Sequence, residues 1–133
     1  MTILFSDNII CPREIRPKNL SILGRRKIQS ESIIGSSSGK FFDRGNRVFE
    51  ISFDVERMHK NPSEAQNFGL GHLCFVHALS PADLQIHSDF VGKTAPLKIR
   101  FAEASLSKVS CQIDADKTTF HYEFYASESE EMQ

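Results

Sequence analysis

The side chains with most to offer a reaction in this 133-residue chain are five histidines and three cysteines. His72 and His77 stand five residues apart, which on a helix puts them on different faces rather than on the one face an i,i+4 metal pair needs. His59, His87 and His121 are scattered, with no metal spacing around them. Cys11, Cys74 and Cys111 are far apart, odd in number and without a CxxC step. That argues against a disulfide framework or zinc knuckle, and for reduced, buried thiols in a protein folded in the cytoplasm. Asp114 and Asp116 share a turn, but no further acidic ligand or glycine follows at calcium-loop spacing. Gly35-Ser-Ser-Ser-Gly39-Lys40 imitates a phosphate loop, yet three rather than four residues separate its glycines, and Phe41 stands where the metal-binding hydroxyl belongs. Asp54, Glu56, His72 and His87 would form an active site only if folding clustered them. With no Ser/His/Asp order, metal signature or nucleotide loop beside them, the expectation is a non-enzyme with no catalytic, cofactor-binding or metal-binding residues.

The elements that would position these groups follow from periodicity. From Arg47 the chain alternates, with Phe49, Ile51, Phe53 and Val55 on one face and Glu50, Ser52, Asp54 and Glu56 on the other, which predicts a strand with one buried and one wet face. Asn61-Pro62-Ser63-Glu64 predicts a helix start, with Asn61 or Ser63 as cap and Pro62 in the first turn. Ala65, Phe68, His72, Phe75, Val76 and Leu79 then share a helical stripe, so His72 reads as a packed, hydrogen-bonded residue. Gly69 and Gly71 each cost about 1 kcal/mol inside a helix, which close approach to a sheet or a bend would explain equally well. Pro81 ends the element, and a strand begins at residue 82. Residues 97–101, 106–113 and 118–126 alternate as further strands, with a hairpin turn at 114–117. Before Arg47, Thr2 to Ser6 reads as a short strand, 19–23 and 26–34 as two more, and Gly24-Arg25-Arg26-Lys27 as a basic turn. Residues 35–45 read as a flexible loop and residues 127–133 as a disordered acidic tail. The expected fold class is α+β, mainly β: one domain over residues 1–133, an antiparallel β-sandwich or open barrel with one α-helix packed on its flank.

Composition is that of an ordinary globular chain, with 40% hydrophobic and 25% charged residues. No apolar run is long enough for a membrane helix, and the N-terminus lacks the basic region and cleavage site of a secretory signal. Net charge is −1, but residues 1–60 carry +4 and residues 61–133 carry −5. A dipolar subunit of this kind favours head-to-tail association. The basic half also offers an alternative reading, a nucleic-acid-binding module with phosphate contacts and stacking on Phe41 and Phe42.

The strand Val48-Phe-Glu-Ile-Ser-Phe-Asp-Val-Glu-Arg57, the helix with Ser63-Glu-Ala-Gln-Asn-Phe68 and His72, the strand Ala82-Asp-Leu-Gln-Ile86, Ala102-Glu-Ala-Ser-Leu106 and the closing Thr119-Phe-His-Tyr-Glu-Phe-Tyr125 together resemble small phage or prophage tail proteins with a tail-tube-like fold. The resemblance covers residues 47–126 and rests on hydrophobic spacing and a few identities. It implies a structural subunit of a phage or prophage tail or related tube assembly, forming a homo-oligomer (a ring that stacks) and docking to other tail proteins. It also implies synthesis in a bacterial cytoplasm and a final place in the virion tail. On that reading the expected partner contacts are Arg25, Arg26, Lys27, Lys40, Phe41, Phe42 and Arg44, with nucleic acid not favoured and no membrane.

Overall fold

Strict alternation along two strands builds the middle of the molecule. In the computed structural model, β4 (Gly39–Met58) and β7 (Lys117–Ala126) pair antiparallel from Phe49↔Ala126 to Met58↔Lys117. The structure describes the backbone of residues 1–32, 39–89 and 97–132, and the side chains of these residues apart from 26–46. Ile51, Phe53 and Val55 on β4 and Thr118, Phe120, Tyr122, Phe124 and Ala126 on β7 are buried. Their neighbours Asp54, Glu56, His121 and Glu123 line the opposite, wetter face, as a period of two requires.

The remaining strands are β1 (Thr2–Phe5), β2 (Asn8–Cys11), β3 (Lys18–Ser32), β5 (Ala82–His87), β6 (Lys98–Asp114) and β8 (Glu128–Met132). Their order is β2-β1-β5-β6-β7-β4-β3, with β8 beside the first half of β6, and every ladder is antiparallel. β1 and β7 are three strand spacings apart along the sheet, about 14 Å if it were flat. Yet the Phe5 and Phe124 rings lie 4.9 Å apart, centroid to centroid. The sheet therefore curls around its own apolar face. It curls far enough for an Arg57 Nη2–H on β4 to reach the Ile10 carbonyl on β2 at 3.3 Å. Among the described residues no ladder closes it, so the sheet is an open one wrapped around a Phe-rich core.

Among the described residues one helix, α1 (Pro62–His77), packs on the sheet, mainly against β6 and β7. Asn61 caps it, its Oδ1 accepting the Glu64 N–H at 2.8 Å, and Pro62 occupies the first turn. Ala65, Gly69 and Val76 are buried against the sheet. A Cβ at Gly69 would meet Ile113 Cδ1 at 2.9 Å and Cys111 Sγ at 3.2 Å, so this glycine is the point of closest approach. At Gly71 a Cβ would meet nothing within 4 Å.

Several expectations need correction. The three thiols are not all buried, because Cys74 is exposed on α1. The strands expected at 97–101 and 106–113 are one continuous strand, β6. Strand β3 runs unbroken through the Gly24–Lys27 stretch where a turn was expected; Gly24 lies opposite Phe49, and its missing Cβ leaves room for that ring, whose Cε1 would be only 3.1 Å away. Residues 39–45, read as flexible loop, are the start of β4, because a facing strand supplies hydrogen bonds that local glycine content does not reveal; residues 35–38 of that loop lie outside the described residues. Most of the acidic tail is strand β8, held on β6 from Lys98↔Met132 to Ala102↔Glu128. Phe75, assigned to the buried stripe, faces outward with Leu70 and Cys74.

Candidate assembly surfaces

The long strands are of unequal support, and that defines the first surface. The β4–β7 ladder stops at Phe49↔Ala126. Beyond it β4 continues to Gly39 paired, among the described residues, with β3 alone, through Arg25↔Val48, Arg26↔Arg47, Ile28↔Asp43 and on to Ser32↔Gly39. A register shift between Arg26 and Ile28 leaves Lys27 opposite the stretch 44–46, a bulge that adds twist. At about 3.3 Å per residue the paired β3 residues 26–32 extend roughly 20 Å past the body of the sheet. This is a two-stranded arm, and a ribbon of two strands is marginal by itself in water. Its strands carry Arg25, Arg26, Lys27, Lys40, Arg44 and Arg47 against Glu31 and Asp43, a net +4.

All seven expected contact residues belong to this arm or its base. Arg25 sits at the base, its guanidinium 3.7 Å from Glu50 across β4. Arg26 and Lys27 lie on β3, and Lys40, Phe41, Phe42 and Arg44 on β4; the side chains of these six fall outside the described part. What sequence reading missed is that one hairpin gathers them.

The second surface is the free edge of β8. β7 leads into β8 through Ser127, so β6 faces one nearly continuous partner from Asp114↔Lys117 to Lys98↔Met132. Where β7 parts from β4, β8 and the arm diverge as two prongs of a fork. Arg100 pins the β8 prong, with Nη2 2.6 Å from Glu130 and Nη1 3.6 Å from Asp83 at the start of β5. Glu128 and Glu131 are exposed. In sequence these residues gave no strand signal, because charge on both faces erases the alternation.

The four groups whose clustering would have made an active site are not brought together. Asp54 and Glu56 lie on the outer face of β4. There Asp54 accepts hydrogen bonds from Asn19 Nδ2 at 2.9 Å and from His121 Nδ1, while Glu56 pairs with Lys18 at 2.9 Å. Burial pushes the Asp54 carboxyl up, but its Asn19 and His121 hydrogen bonds outweigh that and hold it below the usual value. His121 is raised, chiefly by the Asp54 hydrogen bond, with Glu123 3.4 Å from its other nitrogen.

His72 is on the other side of the sheet. It lies between α1 and β7, with Nε2 2.8 Å from the Tyr122 hydroxyl and its ring stacked on Phe68 at 5.1 Å. Burial, helped by the nearby Arg57 charge, lowers its pKa to about 4. Burial likewise raises Tyr122. A protonated phenol donating to a neutral imidazole satisfies both groups. His59 closes the same seam, its Nε2 3.0 Å from the buried Thr118 hydroxyl. His87 bonds to Gln85 on β5 at 3.0 Å. Among the described residues no group of three or more His, Cys, Asp or Glu could hold a metal ion, and no helix is long and apolar enough to cross a membrane.

No family model matches the chain, and no curated protein matches its sequence.

Proposed function

We propose that this protein is a structural subunit that assembles by self-association, as a phage or prophage tail component or a related tube-forming protein would. The observation that carries this reading is the arm. A two-stranded ribbon leaves the body with both outer edges unpaired among the described residues, and such a ribbon has little stability of its own. A neighbouring subunit supplies the missing partner. The uneven charge, +4 over residues 1–60 against −5 over 61–133, supports head-to-tail rather than random contact. The curled open sheet with one helix on it is also the architecture that the resemblance to tail-tube-like proteins implies. Native mass measurement across the micromolar range is the test. The expected result is a concentration-dependent series of oligomers; a strict monomer at high micromolar concentration would remove the reading.

The same arm favours one alternative, a nucleic-acid-binding module. A basic β-ribbon projecting from a compact body can lie in a groove and neutralise phosphates. It predicts binding to low-salt oligonucleotides that weakens steeply with added salt. Absence of any mobility shift on single- or double-stranded oligonucleotides at low salt would dismiss it.

A further inference from the structure

The fork between β8 and the arm has a use that deepens the self-association reading and rests on it. We infer that the free edge of β8 receives the basic arm of a second copy of this chain, adding it as a further strand beside Glu128 to Met132. Three features converge on this occupant. β8 is hydrogen-bonded to β6 along one edge only among the described residues, so its other edge keeps unpaired N–H and C=O groups. The fork opens at Phe49↔Ala126, so β4 of the same chain diverges from β8 at the point where pairing would otherwise continue. Residues 128–132 carry Glu128, Glu130 and Glu131 and no basic residue, whereas the arm strands carry a net +4.

Charged residues on an edge strand commonly keep other chains away. On β8 they are all of one sign, so they repel a second β8 and admit a basic strand. Strand addition of this kind takes affinity from main-chain hydrogen bonds and selectivity from side chains. Here the selectivity would be electrostatic. Glu130 is already held by Arg100, whose pairing with Asp83 also ties β8 to β5. Glu128 and Glu131 are the exposed acids left to meet the arm. Repeated in one direction, acidic edge to basic arm, the contact is heterologous and gives a ring or a filament; made reciprocally by two copies it gives a closed pair.

Charge reversal in the full chain tests this. E128K/E131K leaves the Arg100 pin intact and is expected to raise the concentration for half-association by about tenfold or more, since attraction becomes repulsion. R26E/K27E/R44E on the arm, which takes its net charge from +4 to −2, should do the same. Mixing the two variants pairs each altered surface with one of opposite net charge, and carrying all five substitutions in one chain does so within a single species; both are expected to restore assembly. Circular dichroism and the unfolding midpoint of each variant verify that the body is intact. Wild-type assembly accompanied by unchanged assembly of E128K/E131K overturns the β8 slot and leaves self-association standing, as does the failure of both complementary combinations. A monomeric wild type removes both.

Discussion

Strand β4 spans two regions that differ in what holds them. Its residues 49–58 lie between β3 and β7, with Ile51, Phe53 and Val55 buried in the core. Its residues 39–48 have one partner strand and no ladder to β7. The same continuous strand is therefore scaffold at one end and unsupported ribbon at the other. The described core lies in the first region, and on the proposed assembly reading the arm gains energetic value mainly in contact with another surface. Substitutions in the body should cost folding free energy, and changes in the arm should cost assembly.

The largest effect is expected at Phe53, which is fully buried, 5.1 Å from the Tyr122 ring and stacked on Phe124 at 6.1 Å. Phe53→Ala removes the ring and leaves a cavity, so equilibrium denaturation should show a loss of about 3–5 kcal/mol. A loss under about 1 kcal/mol would place the core elsewhere. Next comes the helix contact. Gly69→Val forces side-chain atoms into Ile113 and Cys111, at an overpacking cost of about 1–3 kcal/mol. Gly71→Ala meets open space and should gain about 0.5–1 kcal/mol through helix propensity. Two glycines two residues apart should thus respond with opposite signs, and equal responses would mean that α1 packs on a different face.

A third effect depends on pH. The folded-state pKa of His72 is about 4, below the ordinary 6.5. Between these values the unfolded chain binds a proton that the native state does not, so stability is fully present above pH 6.5 and is lost as pH falls toward 4. For a group only half buried the full shift overstates the effect, and a contribution on the order of 1–2 kcal/mol is expected. His121 on the outer face has a raised pKa, so its contribution is present below pH 6.5 and is lost as pH rises through its folded pKa. His72→Gln should flatten the profile between pH 6.5 and 4, and His121→Gln should flatten the limb above pH 6.5 while also altering the profile at lower pH, where Asp54 loses part of what holds its carboxyl down. If His72→Gln leaves the acid limb as it was, the seam is open to water.

The supported half of this comparison was legible in the sequence and the unsupported half was not. Phe49, Ile51, Phe53 and Val55 declare a strand because one face is buried and the other wet, and Asn61-Pro62 declares a helix start through its own chemistry. The arm depends on pairing between residues such as Ser30 and Phe41, whose local neighbourhood of glycine and serine reads as loop. β8 has exposed charge on both faces and owes its place to β6 and to Arg100. β2 is only four residues long, followed at once by Pro12, and Ile10 next to Cys11 conceals its alternation. For the candidate surfaces, only residue types were readable: the seven basic or aromatic residues were expected in a turn and a loop, and they lie in β3 and the start of β4. That one hairpin unites them, and that an acidic edge lies beside it, depends on contacts distant in sequence.

The smallest stability effect should come from the largest deletion. Replacing residues 27–46 by a two-residue Asn-Gly turn would join Arg26 to Arg47, which already face each other in the β3–β4 ladder, and such a turn suits a two-residue hairpin connection. Among the residues whose burial is described, which do not include 27–46, the core is complete without the deleted stretch. Deleting a two-stranded ribbon that shares no ladder with β7 should change the unfolding free energy of the monomer by no more than about 0.5 kcal/mol, and shortening the connection lowers its closure entropy slightly in compensation. Assembly, in contrast, should disappear. The two readings together separate the halves of β4: unfolding monitored at a concentration below association reports on the body, and native mass at high concentration reports on the arm. A large loss of monomer stability would mean that the ribbon folds back on the body. Full assembly of the shortened chain would mean that the partner-binding strand is β3 or β6 along the body itself.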